Sequence, residues 1–308
     1  MKLMIHPDYR ITDGISIETS QNLLRQGSVP EGMQIETLRI PGLENDPEIE
    51  AYLYLPPGAR ENLPVIMDVH GGGFSSGDAK MDKNRDIHLA MHVPAIVVAI
   101  NYRLAPEWRY PAALRDCRAA WEWIYENIAR YGGDPKRMGL FGASAGGGLC
   151  AALAFYLRDH GGPAIALNAL MVPALGIGTT LSKDQMRFGA PVLSDSKGRN
   201  IYRTYLGSLN GEYPSYYAVP NAAIDFIGLP PTLIIAGEYD PLREDAMYYA
   251  RKLREADVPL ELYLMPRVGH GFDMVADAPM TKWIWDGMAM SFRREFQILA
   301  EDERSECE

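Results

Sequence analysis

Cysteine is scarce in this chain. Three in 308 residues, scattered and odd in number, exclude a disulfide framework and fit a reducing compartment. Cys117 and Cys150 fall on predicted helix faces as small apolar groups, and Cys307 lies in the last residues. Long hydrophobic runs are missing too. The longest, Pro94 to Ile100, is far too short to span a bilayer. The opening residues, Met1 to Asp8, hold no apolar core of a signal peptide, so the expectation is a soluble, cytoplasmic protein. Basic charge is in deficit: 30 Lys and Arg against 40 Asp and Glu leave a net charge of −10. Phosphate binding needs the opposite balance, which argues against nucleic acid or an anionic membrane as a main partner. Part of the excess sits in a tail, Glu301 to Glu308, expected to be solvated. Neither phosphate-cradle pattern, G-x-G-x-x-G or G-x-x-x-x-G-K-[ST], occurs.

What is there is an alternation of strand-like and helix-like segments. Strand signals fall at Gln34 to Ile40, Ile49 to Leu55, Val65 to His70, Ala95 to Asn101, Arg137 to Phe141, Ala166 to Val172, Thr232 to Gly237 and Leu260 to Met265. The second alternates Ile49, Ala51, Leu53 and Leu55, the period of a half-buried strand. Helix signals fall at Lys83 to His92, Ala112 to Tyr131, Gly147 to Leu157, Arg243 to Ala256 and about Met280 to Leu299, with short ones within Ile11 to Gln26. This order predicts an α/β fold, a mostly parallel sheet covered by helices on both faces. About sixty residues of mixed polarity between two strands are too many for a loop and read as an inserted, partly helical cap. The expected organisation is an N-terminal cap segment over 1–45, a core over 46–175 and 229–300, a cap insertion over 176–228, and the acidic tail over 301–308.

Two motifs carry chemistry. Gly142-Ala143-Ser144-Ala145-Gly146 is G-x-S-x-G between a strand and a helix, the turn that presents a serine nucleophile. His70-Gly71-Gly72-Gly73 follows an earlier strand, and such glycines turn backbone N–H groups toward a developing oxyanion. Gly72, Gly73 and Ala145 are the expected donors, each worth ~3 kcal/mol in the transition state. A serine hydroxyl needs a base, and the order Ser, acid, His leaves only His160 and His270 of the six histidines. His160 fits an exposed helix end, where a cation suits the dipole. His270, in Val268-Gly269-His270-Gly271-Phe272, follows a strand and is the expected base. Asp240 is the preferred acid, fixed by Pro241 behind it, with Glu238, Glu244 and Asp245 as alternatives.

With these residues in place the chain resembles the hormone-sensitive-lipase-type bacterial esterases (family IV) of the α/β-hydrolase fold. The likeness lies in His70 to Gly73, Tyr102-Arg103-Leu104-Ala105-Pro106-Glu107, Tyr110-Pro111-Ala112-Ala113-Leu114, Gly133-Asp134-Pro135, Gly142 to Gly147, Gly228-Leu229-Pro230-Pro231, Tyr239-Asp240-Pro241-Leu242-Arg243 and His270-Gly271-Phe272. It implies a serine carboxylesterase for short- to medium-chain acyl esters, acting on a small-molecule substrate without cofactor or metal. Ser144, Asp240 and His270 match the family's triad; Gly72, Gly73 and Ala145 match its oxyanion hole. It also implies a cap built from the N-terminal segment and the insertion. The family's usual Asp or Thr before the serine is replaced here by Ala143. An amidase or acyl-peptide hydrolase, and a non-catalytic receptor of the same fold, are the alternatives. The oligomeric state stays open, a homodimer included.

Phe74, Phe188 and Tyr202 are the expected substrate-lining residues, with Met186, Tyr205, Tyr213, Tyr216 and Tyr217 as further cap aromatics or fillers. His88 and His92 have the i,i+4 spacing of two metal ligands, but Leu89 stands where H-E-x-x-H needs Glu. They are expected to be ordinary histidines, with Asp82 and Asp86 the nearest oxygen donors in sequence. Trp283 and Trp285 are expected in core or interface.

Overall fold

The computed structural model of the chain describes residues 6–12, 28–58, 61–176, 195–208 and 214–297. Among the described residues the strands are β1 (Gln34–Ile40), β2 (Ile49–Leu55), β3 (Leu63–Val69), β4 (Ile96–Ile100), β5 (Gly133–Ala143), β6 (Asn168–Met171), β7 (Thr232–Gly237) and β8 (Leu260–Met265). Among the described residues the α-helices are α1 (Lys83–His92), α2 (Ala112–Asn127), α3 (Ala145–His160), α4 (Asp195–Leu206), α5 (Arg243–Glu255) and α6 (Pro279–Glu295). The strands form one sheet in the order β1-β2-β4-β3-β5-β6-β7-β8. β2 runs antiparallel to both β1 and β4, and every other pairing is parallel. The expected mostly parallel sheet is therefore present. Residues 34–40, expected in the N-terminal segment, form its edge strand, so the sheet begins before residue 45.

Parallel strands are covered on both faces, and the core divides accordingly. Leu114, Trp121 and Ile124 of α2, Leu149 and Leu153 of α3, and Tyr249 and Leu253 of α5 pack on one face. Ile87 and Leu89 of α1 and Ile284, Trp285, Met288 and Phe292 of α6 pack on the other. Strand β2 departs from the half-buried expectation. Its Ile49, Ala51, Leu53 and Leu55 join the first cluster, while Tyr52 and Tyr54 are buried in the second. Tyrosine hydroxyls made that second face look polar to a period-two count, yet their rings are apolar enough to be covered.

The expected helix ending at Tyr131 is α2 followed by a 3-10 turn, Ile128–Tyr131. Gly132 stops it at φ 83°, a left-handed conformation glycine adopts without steric cost. The strand before the serine is longer than expected, beginning at Gly133. Among the described residues no helix is long and apolar enough to cross a membrane. Residues 13–27, most of the expected early helices, lie outside the described residues. So do Met186, Phe188, Tyr213, Cys307 and the acidic tail.

Candidate active site

Strand β5 ends at Ala143 and α3 starts at Ala145, which leaves one residue, Ser144, to reverse the chain. Ser144 holds φ 54° and ψ −115°, a strained conformation for a residue with a Cβ. Hydrogen bonds fix it there. Its N–H donates to Met171 O at 2.8 Å, and its carbonyl accepts the N–H groups of Ala174 at 2.8 Å and Gly148 at 3.1 Å. The tight turn presses α3 onto the sheet. A Cβ on Gly146 would lie 1.8 Å from Val69 O, inside contact distance, so no other residue fits.

The loops after β7 and β8 bring the partners. Asp240 is buried; one carboxylate oxygen, Oδ1, accepts Leu242 N–H at 2.8 Å, which holds the group in place. The other oxygen, Oδ2, accepts His270 Nδ1–H at 2.8 Å. With the proton on Nδ1, Nε2 carries the lone pair, and it lies 2.9 Å from Ser144 Oγ, which donates to it. Burial lowers the pKa of His270, but the charge and hydrogen bond of Asp240, helped by Asp273, outweigh it and raise the value above 6.5. The alternative acids are occupied elsewhere. Glu238 accepts Arg267 N–H at 2.7 Å, and Glu244 pairs with Arg243 at 2.6 Å. Asp245 lies against Gly176, whose added Cβ would come 2.6 Å from its Oδ1. His160 ends α3, exposed, and donates from Nδ1 to Tyr156 O at 3.0 Å.

Strand β3 is the neighbour of β5, and Val69 is paired with Gly142, so the glycine loop stands beside the serine turn. Gly72 has φ 117°, and a Cβ there would lie 1.9 Å from Ser76 O. Its carbonyl is tied back by the N–H groups of Ser75 and Ser76 at 3.3 and 3.0 Å. Among the described residues neither Gly72 nor Gly73 donates its N–H to a backbone acceptor. Ala145 opens α3, where N–H groups have no intrahelical partner.

A family model of the α/β-hydrolase fold matches residues 66–274. The carboxylesterase NlhH of Mycobacterium tuberculosis is 36% identical over 272 residues, 86% of this chain and 84% of its own. Esterase LipI of the same species is 34% identical, covering 85% and 82%. The chain belongs to the α/β-hydrolase family, in its hormone-sensitive-lipase-type branch. Among solved structures, esterase LipW of Mycobacterium marinum is 29% identical with a TM-score of 0.84, covering 95% of the hydrolase and 96% of LipW. A bacterial heroin esterase is 31% identical with a TM-score of 0.85, covering 91% and 89%.

Of the aromatic residues expected to line the substrate pocket, Phe74 and Tyr202 lie among the described residues, and both are buried in packing contacts. Phe74 is buried and stacks on Tyr205 of α4 at 4.1 Å between ring centroids, with Tyr202 at 5.6 Å. Tyr202 is buried as well and donates to Ala174 O at 2.8 Å. These contacts hold α4 to the end of the sheet above the glycine loop.

Two groups in the hydrolase escaped sequence reasoning. The first is His70. It is buried, its Nδ1–H donates to Gly71 O at 2.6 Å, and its ring stacks on Tyr102 at 4.2 Å. Tyr102 O–H donates in turn to His70 O at 3.0 Å. Burial pushes the His70 pKa down to about 4, so it is a neutral strut under the loop. The second is a buried charged cluster beside the site. Arg85 pairs with Asp82 at 2.7 Å and with Asp273, and lies over the Phe141 ring at 4.4 Å. Asp68 and Asp86 are buried next to it, and desolvation pushes both carboxyls well above their usual range. Asp273 lies three residues after His270, so the cluster ties α1 to the histidine loop. The only sequence signal was the Asp82–Arg85 spacing of three on a helix start.

Proposed function

We propose that the hydrolase is a serine carboxylesterase with Ser144 as nucleophile, His270 as general base and Asp240 as its orienting acid. The observation that carries this reading is the continuous path from Asp240 Oδ2 through His270 to Ser144 Oγ, at 2.8 and 2.9 Å. The names of the relatives, carboxylesterase and esterase, favour an ester substrate. Ser144 Oγ attacks the ester carbonyl while His270 Nε2 takes its proton. The tetrahedral oxyanion is received by the N–H groups of Gly72, Gly73 and Ala145. His270 passes the proton to the departing alcohol, and the acyl group stays on Ser144. A water, deprotonated by His270, attacks the acyl-enzyme and frees the acid. Asp240 holds the imidazole in the right tautomer and stabilises the imidazolium. No cofactor takes part in this cycle.

The acyl chain is short to medium, under a cap that includes α4 and spans the insertion and the N-terminal segment. The protein acts in the cytoplasm on small esters, with no nucleic acid partner, as a monomer or homodimer.

Ser144→Ala should abolish hydrolysis of p-nitrophenyl butyrate and labelling by a fluorophosphonate, with the circular dichroism spectrum unchanged. Turnover close to wild type in a folded variant would remove Ser144 from the mechanism. Parallel rates on the matching p-nitroanilide separate an esterase from an amidase.

A further inference from the structure

Helices α1 and α6 cover the same face of the sheet, and ligand-type side chains from both meet at the surface. His88 and His92 stand one turn apart on α1, and Asp286 faces them from α6. Their ligand atoms all lie within 4.8 Å of one another. The sequence offered only the two histidines, with Asp82 and Asp86 as the nearest oxygens. The fold turns those aspartates inward to the Arg85 cluster and supplies Asp286 instead.

The donors are posed as ligands. His92 Nδ1–H donates to His88 O at 2.9 Å, which leaves the lone pair of its neutral ring on Nε2. Anchoring of one imidazole nitrogen by a carbonyl is how metal-binding histidines are oriented. The two rings stack at 3.9 Å and 19°. His88 Nε2 is buried and faces Asp286 Oδ1 at 3.1 Å. Trp285, buried and 5.5 Å away, forms an apolar wall behind the His88 ring. Among the described residues no Lys or Arg pairs with Asp286.

We propose that His88, His92 and Asp286 bind a divalent transition-metal ion, with Zn2+ the best match, and that the ion staples α1 to α6. Two imidazoles and a carboxylate suit Zn2+, and three protein ligands leave one tetrahedral position for water. Ligand atoms in such a site stand about 3.4 Å apart, so the set closes by rotation of the exposed His92 and Asp286 side chains. The inner side of α1 carries Arg85, paired to Asp273 in the loop that follows His270. The staple therefore steadies the helix on which that loop rests.

Full-length protein dialysed against EDTA and titrated with ZnCl2 in a calorimeter should show one saturable site per chain and a higher Tm with zinc. His92→Ala and Asp286→Asn should each weaken binding by about tenfold or more. Both side chains are exposed, so the variants should fold and hydrolyse ester at the wild-type rate without metal. Co2+ in place of Zn2+ should give visible absorption that the double variant loses. Absence of saturable zinc binding, or zinc binding unchanged in both variants, overturns the proposal.

Discussion

His270 has two carboxylates within electrostatic reach, and only Asp240 touches it. Both raise its pKa above 6.5 against the pull of burial. In the role of general base proposed for it, His270 must be neutral to work, and that fixes the pH profile. Activity should fall on acidification along a limb that lies above pH 6.5, read from kcat/KM against pH. Asp240→Asn should cut kcat by roughly 10⁴ and move that limb downward, because the charge holding the proton on the ring is gone. An unmoved limb would place the controlling charge elsewhere. The same raised pKa makes protonated His270 a stabilising group below pH 6.5, an effect lost as pH rises through its folded value. At this scale the sequence was most legible. Chain order and strand-end position pick Ser144, Asp240 and His270, because a serine, a base and an acid have to converge from separate loops. His70 was not legible as a strut, since its role depends on Tyr102 stacking from another strand's end.

The element that carries most of the site is α3, because its start sets the serine and its first turn lies against β3. Gly146→Ala puts a Cβ 1.8 Å from Val69 O, a backbone atom that cannot step aside. Urea unfolding should show a loss of about 4 kcal/mol or more, with activity lost in parallel. Gly287 in α6 is the contrast. A Cβ there meets nothing within 4 Å, so Gly287→Ala should raise stability by about 1 kcal/mol through helix propensity alone. Strand and helix positions were read well from apolar periodicity, and β7, β8 and α1 match residue for residue. The misreadings have a common cause. Period counts treat tyrosine and aspartate as surface, yet Tyr52 and Tyr54 of β2 and Asp86 of α1 are buried. Asp286 meeting His88 is likewise a product of helix packing, invisible one helix at a time.

Across the whole molecule the excess of negative charge is not confined to the surface. Asp68, Asp82, Asp86 and Asp273 surround a single guanidinium, and burial keeps Asp68 and Asp86 protonated far above the ordinary carboxylate range. The unfolded chain releases those protons from about pH 4 upward. Between that point and the folded values the native state binds more protons, so stability declines with rising pH by about 1.4 kcal/mol per unit for each proton retained. Asp68→Asn removes one such proton. Its Tm should fall less than the wild-type value as pH is raised from about 4, followed by differential scanning fluorimetry. Parallel curves would mean the pair retains no proton.

The pairing of Val69 with Gly142 joins two distant stretches of chain, and the Ser144–His270 contact spans 126 residues more. Neither can form from local structure, and long-range parallel pairing is slow. Catalysis is thus a clock for the last stage of folding. A chain refolding from denaturant should regain helical circular dichroism before it regains turnover, since turnover needs both long-range contacts in place.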